Sequence, residues 1–187
     1  MPFNKFAGIF LIITALSLTS AQAQNYSASY KFLKAIDELN YRDIKVAIEK
    51  GVNINTRHYD DNATALIMAA RMKELPLVRY LLGNGAKPDF VGKDGKSPLL
   101  IAAAAGNRAM VETLITAKAD LDLADNNGTT PLIASVLARR DQITKLLLEA
   151  GADHELEDYS GRSPLQHAID NRRKRTEKIL RAAGATR

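Results

Sequence analysis

Apolar residues recur along this chain at the spacing of short helices that have one apolar side. The spacing is clearest in three stretches that begin at equal intervals: Leu77, Val78, Leu81 and Leu82; then Met110, Val111, Leu114 and Ile115; then Ile143, Leu146 and Leu147. Residues three or four positions apart lie on the same side of a helix, so each stretch predicts an amphipathic helix.

Three landmarks keep one constant period over four copies. A Thr or Ser followed two positions later by Leu occurs at Thr64, Ser97, Thr130 and Ser163. The other two landmarks are a leucine, at Leu81, Leu114, Leu147 and Leu180, and a pair ending in Ala that begins at Gly85, Lys118, Gly151 and Gly184. Together they indicate an internal repeat.

The landmark residues suit the ends of helices. The Thr or Ser hydroxyl can cap a helix by accepting a hydrogen bond from a free backbone N–H. Proline follows it in three copies, at Pro98, Pro131 and Pro164, where the first helical turn tolerates a missing N–H. Two residues before the cap stand Asn62, Gly95, Gly128 and Gly161, which predict turns with positive φ.

These residues resemble the ankyrin repeat from about residue 27 to residue 185. The best match is Asp125, Gly128, Thr130-Pro131-Leu132, Leu147-Leu148 and Gly151-Ala152-Asp153. The resemblance implies an all-α solenoid of about five helix-turn-helix units with projecting β-turn tips. The family's His after Thr-Pro-Leu is replaced by Ile67, Leu100, Ile133 and Gln166, so we expect some loss of loop rigidity.

The repeat boundaries and the N-terminus predict six segments. They are a signal peptide (1–23), a degenerate N-terminal capping unit (24–58), three ankyrin repeats (59–91, 92–124 and 125–157) and a C-terminal capping unit with a basic helix (158–187). In the last unit Thr176, Glu177 and Arg181 replace apolar positions on the second helix. We interpret them as the polar outer face that a terminal unit needs.

The N-terminal segment 1–23 has the pattern of a secretory signal. Lys5 precedes an almost wholly apolar stretch (6–18), which is shorter than the roughly 20 residues that span a membrane. Ala21 and Ala23 suit a cleavage site, with the cut after Ala23. We therefore expect a periplasmic or secreted protein, with a buried N-terminal helix or a retained anchor as alternatives.

Composition narrows the chemistry. The chain has 46% apolar and 25% charged residues, typical of an ordered protein, and no cysteine, which excludes disulfides and thiol catalysis. His58, His154 and His167 are not spaced to share a helix face as metal ligands. No nucleophile or phosphate-binding motif is present. We expect no enzyme activity, no catalytic residue, no cofactor and no metal site.

The resemblance implies that another protein is bound on a concave face built from turn tips and first helices. Carried over by position, the contact residues are Asp61, Arg71, Met72, Lys93, Lys96, Asn127, Leu137, Tyr159 and Arg162. Packing between units is the alternative for Leu137. Exported proteins of this kind include partners that support periplasmic enzymes such as catalase, and immunity proteins that neutralise effectors. We expect a monomer.

A basic segment at the C-terminus suggests a second function. The segment 171–187 holds seven basic side chains and one acidic side chain, a net charge of +6, whereas the segment 24–170 carries −2. The cluster at Arg172, Arg173, Lys174 and Arg175 could bind an anionic ligand or a membrane surface. Nucleic acid is not expected, since no aromatic residue interrupts the cluster. The alternative is a solvated capping helix with cations near its C-terminal end, where the helix dipole favours them.

Overall fold

A computed structural model of the chain describes residues 27–186, and the predicted signal segment 1–23 lies outside them. The chain divides after Asn53 into two compact units. In the first unit, α1 spans residues 27–37 and α2 spans Tyr41–Glu49. Phe32 and Ile36 of α1 and Ile44 of α2 are fully buried.

The second unit is a stack of helix pairs. Its helices are α3 (Ala65–Met72), α4 (Leu75–Gly83), α5 (Pro98–Ala105), α6 (Arg108–Thr116), α7 (Pro131–Leu137), α8 (Asp141–Glu149), α9 (Pro164–Asp170) and α10 (Lys174–Ala182). Each first helix contacts its own second helix and the first helix of the next pair, and successive second helices contact one another too. Residues 27–186 contain helices and a single isolated β-bridge but no strand, so the predicted all-α repeat solenoid is confirmed.

The helix starts form as the repeat landmarks predict. Thr64, Ser97, Thr130 and Ser163 each accept a hydrogen bond at 3.2–3.4 Å from the N–H three residues later. Three of these helices begin at the proline that follows the cap. The turn residues Asn62, Gly95, Gly128 and Gly161 all have positive φ, between 56° and 77°. Local capping chemistry therefore sets where each helix pair begins.

The repeated leucines form the core between helix layers. Leu81, Leu114, Leu147 and Leu180 are all fully buried. Thr176, which we assigned to the polar outer face, is also buried at 2% exposure, and its hydroxyl donates to Asp141 Oδ1 at 2.7 Å. That assignment was wrong because this position of α10 faces α8. No helix of residues 27–186 combines the length and apolar character needed to cross a bilayer.

Candidate functional site

Backbone hydrogen bonds join the turn tips of successive repeats in a row, all within the compact unit that follows Asn53. Three bonds step from tip to tip: Lys93 N to the Asp61 carbonyl oxygen (2.7 Å), Asn126 N to that of Asp94 (3.3 Å), and Tyr159 N to that of Asn127 (3.0 Å). The Asn126 side-chain amide also donates to the Lys93 carbonyl at 2.8 Å. The main chain thus links four successive tips although the family's usual His is missing.

Charged side chains at the first two tips form one network. Arg71 is paired with Asp61, and its other terminal nitrogen lies 3.8 Å from Asp94 Oδ1. Lys96 Nζ lies 3.3 Å from the second Asp94 oxygen. His58 Nδ1 lies 3.5 Å from Asp61 Oδ1. The structure therefore brings three of the predicted contact residues, Asp61, Arg71 and Lys96, into a single cluster of largely balanced charge.

The cluster keeps Asp61 ionised. Partial burial raises the pKa of this carboxyl group, but hydrogen bonds from the Arg71 side chain and the Ala63 N–H outweigh it. The positive charge of Arg71 acts in the same direction, and the pKa of Asp61 ends below its usual value. Lys93, by contrast, is exposed and has no ion pair within the described part of the chain.

The side chains in the middle of the predicted contact region are apolar, and most of them are small. Ala104 and Ala105 at the end of α5 and Ala138 just after α7 are half-buried, and Leu137 at the end of α7 is exposed. Leu137 is 41% exposed, so packing between units does not bury it fully. Met72 at the end of α3 is half-buried, and Asn127, in the turn before α7, is exposed.

The last tip combines an exposed ring with a tightly bonded turn. Tyr159 is 80% exposed. Beneath it, Asp158 accepts hydrogen bonds from the Ser160 hydroxyl (2.6 Å) and from the Ser160 and Arg162 N–H groups, and His167 Nε2 lies 2.7 Å from its second oxygen. Arg162 Nε is 3.1 Å from Asp170 Oδ2. Tyr159 and Arg162 are thus presented by a rigidly bonded loop.

Asp158 should make the stability of the last unit depend on pH. Burial raises the pKa of Asp158, but hydrogen bonds from Ser160, His167 and Arg162 outweigh it and lower the pKa to about 2. A carboxyl group whose folded pKa lies below its unfolded value stabilises the fold above pH ~4, and this contribution is lost between pH ~4 and ~2.

The side chain introduced by Asp158→Asn cannot ionise. The urea midpoint of this variant should therefore lie below that of the natural protein at pH 6, and the difference between the two midpoints should shrink towards pH 2. A constant gap across this range would contradict the assignment.

The structure separates the basic cluster into engaged and free cations. The Arg173 guanidinium donates to the carbonyls of Val136 and Leu137 at the end of α7, the second at 3.0 Å. Arg175 Nε lies 3.3 Å from Asp141 Oδ2. Burial, with the nearby charge of Arg139, lowers the pKa of Arg173. Arg172, Lys174 and Arg175 are all exposed, so Arg173 is the one member of the cluster whose side chain the fold partly buries.

Arg173 belongs to a repeated contact that sequence reasoning missed. Arg140, at the equivalent position one repeat earlier, places its Nε 3.3 Å from the Ala104 carbonyl at the end of α5. Both arginines precede a second helix and close the C-terminal end of the preceding unit's first helix, where free carbonyls favour a cation. Their spacing of one repeat was the available signal.

Three carboxylates and one amide of the outer loops also serve as hydrogen-bond acceptors between repeats. Four side chains accept from the backbone N–H about one repeat later, at 2.8–2.9 Å: Asn55 from Lys87, Asp89 from Asp120, Asp122 from Asp153, and Glu155 from Thr186. Among residues 27–186, no group of three or more His, Asp or Glu is placed to hold a metal ion. The four acceptor side chains stabilise the stacking of successive loops.

Comparison with known proteins agrees with this architecture. The chain matches the family described as ankyrin repeats (3 copies) over residues 32–125, 66–158 and 114–186. A search of curated proteins gave no match. Ankyrin repeats are generally protein–protein interaction modules, and the proteins built from them are typically non-enzymatic scaffolds. Because the overlapping matches extend over residues 32–186, the chain belongs to the ankyrin-repeat family.

Proposed function

We propose that this chain is an exported, non-enzymatic scaffold that binds another protein through its tip surface. The tip surface consists of the residues carried over from the family: Asp61, Arg71, Met72, Lys93, Lys96, Asn127, Leu137, Tyr159 and Arg162. The observation that carries the proposal is the row of hydrogen-bonded tips, which fixes the turns that bear Asp61, Lys93, Asn127 and Tyr159 before a partner arrives. Preorganisation lowers the entropy lost on binding.

The chemistry of the tip surface suits a protein partner. Tyr159 and Leu137 are exposed large side chains, and residues of this kind anchor interfaces when partner atoms surround them. Most charges nearby already pair with one another, as Asp61 does with Arg71 and Arg162 with Asp170. A partner therefore meets Leu137 in the middle of the surface and Tyr159 at its last tip, beside polar groups that are already paired, and protein interfaces combine apolar and polar groups in this way.

Export is supported by the signal-like segment at the N-terminus. An almost wholly apolar stretch follows Lys5 and ends before the small residues at Ala21 and Ala23. An exported scaffold of this family would act by supporting or inhibiting a periplasmic enzyme or effector. We propose that the protein works as a monomer whose chain begins at Gln24.

The proposal is tested by partner capture from the exported fraction of the native host. The mass of this protein itself, purified from the same fraction, shows first whether the chain begins at Gln24. Replacing Lys93, Lys96, Tyr159 and Arg162 together with Ala should weaken capture of the main partner at least tenfold, because these changes remove both anchor and rim contacts. Capture is quantified against the natural protein at equal loading.

A matched control carries the same kinds of change away from the tip surface. Tyr41, Arg42, Lys31 and Lys50 are exposed residues of the first unit, and their replacement with Ala removes one ring and three cations as well. This variant should retain the partner. Unchanged capture by the tip variant, or equal loss in both variants, would rule out the tip surface as the binding site.

A further inference from the structure

The last helix departs from its counterpart one repeat earlier in a way that frees positive charge. In α8, Lys145 pairs with Glu149 one turn later, at 3.5 Å. The equivalent residues of α10 are Lys178 and Ala182, so the lysine keeps its place and its partner is gone. The described Lys34 and Lys45 also have a glutamate four residues later and pair with it.

Lys174, the first residue of α10, adds another positive charge that destabilises the helix. α8 begins with Asp141, whereas α10 begins with Lys174. A cation at the first turn opposes the helix dipole, and Lys174 and Lys178 form a like-charged pair four residues apart. The sequence-based alternative, in which the dipole favours cations near the C-terminal end of the helix, fits Arg181 in the last turn. It does not fit Arg172–Arg175, which the structure places at the start of α10.

These cations lie on a face that no later helix pair of the described chain covers. Lys174, Lys178 and Arg181 follow one another at helical spacing and line an open depression with Glu177 and Ala182. Arg181 pairs with Glu177 at 3.0 Å, whereas Lys174 and Lys178 have no ion pair within residues 27–186. We call Lys174, Lys178 and Arg181 the α10 basic face.

We propose that the α10 basic face docks an acidic segment of a partner protein. This surface is separate from the tip surface, and the proposal does not depend on the function proposed above. Two free ammonium groups one turn apart complement carboxylates at a similar spacing on a partner, and the charges would steer the two proteins together.

A protein partner fits this face better than an anionic bilayer. Membrane-binding basic segments typically hold about four to eight Lys or Arg residues, and here Arg173 is held by a carbonyl of α7 while Asp141 neutralises the exposed Arg175. The depression is lined by charged side chains and Ala182, without a large apolar or aromatic residue that could enter a bilayer. The Glu177 carboxylate in the depression is already paired with Arg181.

The test uses a fluorescein-labelled peptide of eight consecutive glutamates and the intact protein, measured by fluorescence anisotropy. Binding should be detectable at low ionic strength and should weaken as salt is raised, because exposed charges are screened. Replacing Lys174 and Lys178 with Ala should weaken peptide binding at least tenfold. Replacing Lys31 and Lys50 with Ala changes the net charge equally, and should weaken binding less than twofold.

Three outcomes would overturn the proposal. They are the absence of peptide binding, an equal loss of binding in both double variants, and binding to vesicles containing phosphatidylglycerol in preference to the peptide with the same dependence on Lys174 and Lys178. Lys174→Glu tests separately how much the positive charge of Lys174 destabilises α10. It should raise the melting temperature by about 2 °C while abolishing peptide binding, and a lower melting temperature would show a structural role instead.

Discussion

Replacing Leu114 with Ala should lower the free energy of unfolding by ~2–5 kcal/mol, the usual range for a fully buried leucine. Leu114 has no exposed surface and sits in α6, between the second helices α4 and α8 that contact α6 on either side. Its loss therefore leaves a cavity in the middle of the stack, where neighbouring helix pairs depend on each other for burial. Urea denaturation followed by circular dichroism measures the change.

A leucine on the surface provides the matched control for this cavity. Leu137 is 41% exposed, so Leu137→Ala should cost less than about 1 kcal/mol, because exposed apolar groups gain little on folding. The same change removes a proposed anchor of the tip surface. Equal loss of stability in the two variants would show that Leu114 does not lie in the core of the stack.

The helix starts could be predicted from the sequence because each depends on neighbours in the chain. Thr130 caps a helix through an N–H only three residues away, and Pro131 and Gly128 act at the same turn. Such local chemistry leaves a readable pattern, and repetition over four copies separates it from chance. The family followed from the same residues.

The contacts of individual charged side chains could not be predicted in this way. Arg172–Arg175 form one basic run in the sequence, yet Arg173 bonds carbonyls 36 and 37 residues earlier. Thr176 is polar but buried, because Asp141 of the neighbouring unit supplies its hydrogen bond. Burial and pairing depend on which residues the stack brings together, and the repeat period gives the partner's position but not the direction of a long side chain.

The tip surface could be predicted from the sequence only in part. Its residues could be placed at tips and first helices by position in the repeat, but the pairing of Arg71 with Asp61 and of Arg162 with Asp170 appears only in three dimensions. These pairs decide which charges remain available. Lys93 is the one predicted cation of the surface without an ion pair in the described residues. The uncharged anchors Leu137 and Tyr159 therefore matter more to the proposed interface than the raw charge pattern indicates.

Replacing Gly128 with Ala should destabilise the protein by ~3–6 kcal/mol and loosen the tip surface, because strain, a backbone clash and a lost hydrogen bond add together. Gly128 has φ +76°, and a Cβ atom built there would lie 2.7 Å from both Tyr159 Cδ1 and Tyr159 N. The left-handed conformation costs an alanine roughly 1–2 kcal/mol, and the clash with backbone adds about 1–3 kcal/mol. Moving Tyr159 away would also break its hydrogen bond to the Asn127 carbonyl, worth about 1 kcal/mol.

Gly161 separates the effect of the clash from that of backbone strain. Its φ is +73°, nearly that of Gly128, but the nearest atom to a built Cβ is Glu157 Oε2 at 4.0 Å. Gly161→Ala should therefore cost only the strain, roughly 1–2 kcal/mol. Thermal and urea melts of the two variants give the difference, which is the energy of close approach between successive tips. Equal costs would mean that adjacent tips are not in contact at Gly128, and the preorganised row on which partner binding is proposed to depend would lose its support.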